Sequence, residues 1–164
     1  MQTQRAAQTI ALAVLFSAAL LARPAHANKP INLSLFAPVQ LFSENEPISG
    51  FRFNLIYGRT RSMKGLDLGL VNHIIAGPFD GVQLGLVNVA QRSLSGWQHG
   101  GVGIVRGQLK GVQTGVVNVA QRVRGVQFGA VNITDTIYGI QIGLVNVIKR
   151  GGWLPVMVLV NGSL

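Results

Sequence analysis

The sequence predicts an all-β repeat protein, a parallel β-solenoid built from coils of 14–16 residues. The first ground is recurrence: "GVQLGLVNVAQR" (residues 81–92) returns as "GVQTGVVNVAQR" (residues 111–122). With the leading glycine as position zero, units begin at Gly65, Gly81, Gly96, Gly111, Gly125 and Gly139, and a second glycine stands at position four of each. Position two is Asp67 and then Gln83, Gln98, Gln113, Gln127 and Gln141. Position seven is Asn72, Asn88, Asn118, Asn132 and Asn146, while the third unit carries Gly103 there. Internal repeats of short period mark stacked arrays. The second ground is periodicity: positions one, three and five are mostly apolar, as in Ile140, Ile142 and Leu144, which is strand alternation. The third is composition. Glycine is abundant at 21 of 164 residues without a collagen period, and Val and Ile are frequent between short spacers.

Along the chain, residues 1–27 have the form of a secretory leader. Arg5 is the basic start, "TIALAVLFSAALLA" is the apolar stretch, and "AHA" ending at Ala27 is the cleavage signature. Removing Arg5 and Arg23 takes the formal net charge from +9 to +7. With no cysteine, no disulfide can form, so packing and hydrogen bonds must hold an exported chain. Residues 28–49 read as an opening strand, "INLSLFAPVQLF" interrupted by Pro38, followed by the polar loop "SENEPISG". Residues 50–164 read as one β-repeat domain with worn terminal copies. Gly50 lies one period before Gly65, and Val160-Asn161 lies one period after Val145-Asn146.

Within a unit, positions six and eight are apolar too, so the parity switches after the second glycine. A bend there, which glycine permits, would turn both apolar sets to one inner face. Parallel in-register stacking would place Gln over Gln and Asn over Asn. Gln83, Gln113, Gln127 and Gln141 with Asn88, Asn118, Asn132 and Asn146 are then structural ladder rungs. The alternative is an antiparallel β-meander or small β-barrel, with one strand of roughly ten residues per unit, a length that can span an outer membrane.

Charge concentrates in the spacers. Arg92, Arg122 and Arg150 each follow a position-seven Asn by four residues, and Arg106, Lys110, Arg124 and Lys149 occupy equivalent spacers. Stacking would align them as a basic ridge suited to phosphate or carboxylate groups, although exposed turns also collect charge to guard sheet edges. The candidate partners are anionic lipid head groups, lipopolysaccharide or polysaccharide. Few aromatic residues are available for base stacking, so no nucleic acid is expected. His73 and His99 lie in different units with no ligand pair at metal spacing, and no nucleophile elbow or phosphate loop occurs. Catalytic residues, cofactors and metals are therefore expected to be absent.

The phrase "GVQxGxVNxA" at residues 81–90 and 111–120, with "GLDLGLVN" at 65–72, resembles the repeat of exported bacterial surface repeat-containing proteins of the LA_2272 type. The resemblance covers about residues 31–164 and implies an envelope or surface location and a β-rich repeat domain. It brings no catalytic residues. The functional expectation is a non-enzymatic exported envelope protein with a structural or adhesive role; a small outer-membrane barrel acting as pore or anchor is the alternative.

Overall fold

The structure, a computed structural model, describes residues 31–36, 39–40 and 46–163. The leader at 1–27 lies outside the described residues. Seven strands form one sheet: β1 (Ile31–Phe36), β2 (Val39–Gln40), β3 (Ile48–Thr60), β4 (Met63–Ile74), β5 (Phe79–Ala90), β6 (Ser93–Ile148) and β7 (Val156–Ser163). β3, β4, β5 and the start of β6 pair in parallel, with Gly50, Gly65, Gly81 and Gly96 in register. Within β6 the chain keeps coiling, so Gly111, Gly125 and Gly139 continue the same glycine column. The protein is thus a parallel β-solenoid and not a barrel.

The repeat fixes this outcome through contacts no other residue permits. Each leading glycine has a positive φ, between 124° and 139° from Gly65 to Gly139, and a Cβ at any of them would collide with the carbonyl oxygen of the glycine one coil earlier. Close backbone approach at positive φ is available only to glycine. The second glycine was the expected site of unusual dihedrals. It is instead required by crowding: a Cβ at Gly85 would meet the Gly69 carbonyl and the Asn72 amide.

The sides of the coil are reversed from the sequence expectation. Positions one, three, five, six and eight do not form the inner face. Gln83 and Asn88 are buried, whereas Val82 and Leu84 are half-exposed and Leu86 is 61% exposed. The interior has two halves. Near the corner at positions four to six it is amide, filled by the Gln and Asn columns. Near the spacers it is apolar, formed by Met63, Phe79, Leu94, Leu109, Val123 and Ile137 two residues before each leading glycine, and by Ile74, Ala90, Val105, Ala120 and Ile148 at position nine. The parity switch is real, but it turns the polar positions inward. Stacked amides satisfy one another, so their burial costs little, and the apolar side chains at the spacer end contribute roughly 1.5–3 kcal/mol each for the larger ones.

The ends depart from simple repetition. The opening segment is not one extended strand: β1 pairs parallel with β3, and β2 folds back antiparallel on β1. Residues 48–50, expected in the polar loop, already belong to β3. At the other end β7 runs antiparallel to the last coil, with Asn161 opposite Gln141 and Met157 opposite Asn146. The tail is therefore a reversed capping strand rather than a worn parallel copy with Asn161 above Asn146. Gly151 with φ 73° and the turn after it reverse the chain before β7 begins.

Candidate functional site: an amide core, a basic edge and an apolar corner

The Gln column is one directional chain of hydrogen bonds. Gln141 Nε2 donates to Gln127 Oε1, Gln127 to Gln113, Gln113 to Gln98 and Gln98 to Gln83, each at 2.8 Å. Gln83 Nε2 then donates to Asp67 Oδ2 at 2.9 Å. The Asn column runs the other way: Asn54 to Asn72, Asn72 to Asn88, Asn118 to Asn132 and Asn132 to Asn146, all at 2.8 Å. The two stacks therefore oppose their amide dipoles. Every ladder residue expected from the sequence is buried, and the only broken step passes Gly103.

Sequence reasoning missed a second duty of the Asn column. Asn72, Asn88, Asn118 and Asn132 donate to the position-three carbonyls of Leu84, His99, Phe128 and Ile142 in the following coil. These carbonyls lie at the corner where the strand changes direction, and an unpaired carbonyl there would be costly. The first coil achieves the same end by exchange. It has Gly58 at the Asn position and Asn54 at the second-glycine position, and the Asn54 side chain reaches across the space that Gly58 leaves.

Outside this core, the seven basic candidates Arg92, Arg106, Lys110, Arg122, Arg124, Lys149 and Arg150 are all exposed and all lie at the spacer end of their coils. Arg92, Arg122 and Arg150 share position eleven, with Gly107 and Thr136 in the coils between them. Two coil spacings separate each from the next, roughly 10 Å, so mutual repulsion is screened at ordinary salt. Arg122 and Arg150 flank a shallow depression of about 440 Å³ that also includes Gln121, Asp135 and Thr136. Lys149 is tied to Asp135 at 2.8 Å, which leaves the neighbouring arginines as the stronger anion donors. Lys110 lies instead beside Asp80, Ser95 and Gln108 around a hollow of about 270 Å³.

The histidines are held in hydrogen-bonded settings. Gln91 Nε2 lies 2.9 Å from His73 Nε2, and Tyr57 Oη lies 3.0 Å from His73 Nδ1. An amide nitrogen can only donate, so His73 Nε2 accepts and the neutral Nδ1–H donates to Tyr57. Burial, and then the positive charges of Arg59, Arg106 and Arg52, push the His73 pKa below its ordinary value. Thr114 Oγ1 accepts from Trp97 Nε1 at 2.9 Å and pairs with His99 Nδ1 at 2.8 Å. Among the described residues no three His, Asp or Glu side chains converge as a metal site would require.

The feature the sequence reading placed on the wrong side is the apolar exterior. From Gly50 to Gly139, positions one, three, five and six carry no Lys, Arg, Asp or Glu. Leu70, Leu86, Val116 and Leu144 form a line along the corner. The class this defines is an amphipathic β-solenoid: amides inside, one basic edge and one apolar edge outside. No protein-family model, no curated protein and no solved structure matches the chain.

Proposed function

We propose that the chain is a non-enzymatic module of a bacterial cell envelope, exported by its leader, with a structural or adhesive role exercised through its basic edge. The observation that carries this reading is the straight row of Arg92, Arg122 and Arg150 at one coil position, flanked by Arg106, Lys110, Arg124 and Lys149. A rigid scaffold that repeats a guanidinium about every 10 Å suits a partner that repeats phosphate or carboxylate groups. Anionic lipid head groups, lipopolysaccharide and acidic polysaccharide all present such groups. The resemblance of the repeat to surface repeat-containing proteins supports the same location.

The test is binding of the purified protein to lipopolysaccharide, an acidic polysaccharide and anionic vesicles across a salt series. Affinity is expected to fall steeply with salt, and the Arg92→Gln, Arg122→Gln, Arg150→Gln triple variant to bind about tenfold more weakly or worse. Indifference of the wild-type protein to all three at low salt would overturn the reading.

A further inference from the structure

We propose that the corner edge of the solenoid inserts into the interfacial layer of an anionic lipid bilayer. This goes beyond the basic-edge reading, because the contact is apolar and the cations stand back from it at the spacer end of the coils. Leu70, Leu86, Val116 and Leu144 are 52%, 61%, 60% and 64% exposed, in one line along the coil axis. An uncharged ridge of this kind, with Gly101 and Ala130 at the same position in the coils between, marks an interaction surface rather than scattered surface apolarity.

Shape and charge select a bilayer over a second copy. The ridge is a convex corner from which two sheet faces diverge, so two copies would meet only along a line. A fluid bilayer conforms to a convex edge, and anionic head groups complement the cations at the spacer end.

The dimensions agree. With about 3.3 Å per residue, position one lies roughly 13 Å from the ridge, and the charged positions before the leading glycine and at position ten lie roughly 16–20 Å away. Interfacial insertion of about 5–10 Å places the ridge among acyl ends and Trp97, at position one, near the head groups, where tryptophan is favoured. Arg106, Lys110 and Arg124 then reach back to lipid phosphates along their aliphatic stems. The corner also carries little polar cost, because Asn72, Asn88, Asn118 and Asn132 already occupy the carbonyls exposed by the bend.

The experiment is vesicle flotation of the purified protein with phosphatidylcholine alone and with added phosphatidylglycerol at physiological salt. The wild-type protein is expected to float with the mixed vesicles. The Leu86→Ser, Val116→Ser, Leu144→Ser variant, whose changes all lie on the exterior, should lose about tenfold or more in partitioning while retaining its circular dichroism. The Lys110→Gln, Arg124→Gln variant should lose the preference for phosphatidylglycerol and keep the apolar contribution. Brominated acyl chains should quench the tryptophan fluorescence of a Leu86→Trp variant, whose indole stands on the ridge itself. Equal binding by the serine variant without quenching would overturn the insertion and leave head-group contact through the basic edge standing. Wild-type protein that binds lipopolysaccharide but no vesicle would do the same. A concentration-dependent dimer abolished by the serine changes would assign the ridge to a second copy instead.

Discussion

Nη2 of Arg52 lies 2.6 Å from Oδ2 of Asp67, and neither side chain is exposed. Both occupy position two, where later coils carry Gln. The Gln stack ends in a donor, Gln83 Nε2, and a carboxylate can accept it without offering a proton in return. Asp67 also accepts from Arg52 Nε at 2.8 Å and from Asn54 Nδ2 at 3.2 Å. The donor-only guanidinium then closes the acceptor-only carboxylate, so the pair terminates the ladder. Asp67→Asn should cost about 3–5 kcal/mol, because it leaves a buried guanidinium uncompensated. The double variant Arg52→Gln, Asp67→Gln extends the ladder by two rungs and should return to within about 2 kcal/mol of wild type. Denaturant titration of the wild type, Asp67→Asn and the double variant measures both, and a wild-type-like Asp67→Asn would show that the pair does not close the stack.

The sequence carried the period and the rungs, because side chains stacked on themselves must recur in identity, whereas the same repeat also fitted an antiparallel meander until the parallel register decided it. Sidedness was harder to read. Alternation gives two faces, and general experience assigns the apolar one to the interior. Here Gln113 and Asn118 can be buried because each finds its partner one coil away, a long-range satisfaction that composition does not display. The reversal at β7 was hidden for a related reason: Val160-Asn161 matches the repeat as text, but Asn161 donates to the carbonyl of Leu154 across a turn. The basic spacers were legible because charge has few places to go on a stacked coil.

Glycine at position zero should be irreplaceable, and the comparison with Gly151 isolates the reason. Gly111 has φ 127°, and a Cβ there would strike the carbonyl of Gly96. Gly151 has φ 73° and nothing within 4 Å of an added Cβ. Gly151→Ala should cost only the left-handed penalty of about 1–2 kcal/mol. Gly111→Ala adds backbone collision to an almost glycine-only conformation and should cost about 3 kcal/mol or more. Thermal melts of the two variants give the ordering, and equal losses would mean that the close approach is not needed.

His73 should make the fold weaken in mild acid. Burial and the arginines at 59, 106 and 52 lower its folded pKa below the unfolded value of about 6.5. Well above that value the imidazole is neutral in both states and stability is independent of it. As pH falls through about 6.5, the unfolded chain takes up a proton that the folded chain resists, so stability declines until the lower folded pKa is passed. Protonation also places an N–H on Nε2 against the Gln91 amide nitrogen. His73→Val, matching Val89 at the same coil position, should flatten this part of the Tm-against-pH curve. A curve of unchanged slope in that variant would assign the acid sensitivity to other groups.

Gly103 is the one missing Asn rung between Asn88 and Asn118. Its absence leaves Oδ1 of Asn118 buried with no hydrogen-bond partner. Gly103→Asn would supply a donor to that oxygen and an acceptor to Asn88 Nδ2, as Asn88 already does for Asn72. The obstacle is side-chain crowding: an added Cβ would sit 2.6 Å from Gln98 Oε1 and 2.8 Å from Gln113 Nε2. These are the far ends of flexible side chains, and the coils containing Asn118 and Asn132 hold Gln113 and Gln127 beside them without losing either column. The substitution should therefore stabilise the fold by about 1 kcal/mol, the net worth of satisfying a buried acceptor. A raised denaturation midpoint with an unchanged m-value is the expected result. A lowered midpoint would mean that the Gln98–Gln113 rung depends on the space that Gly103 leaves, making the gap a structural requirement of that column.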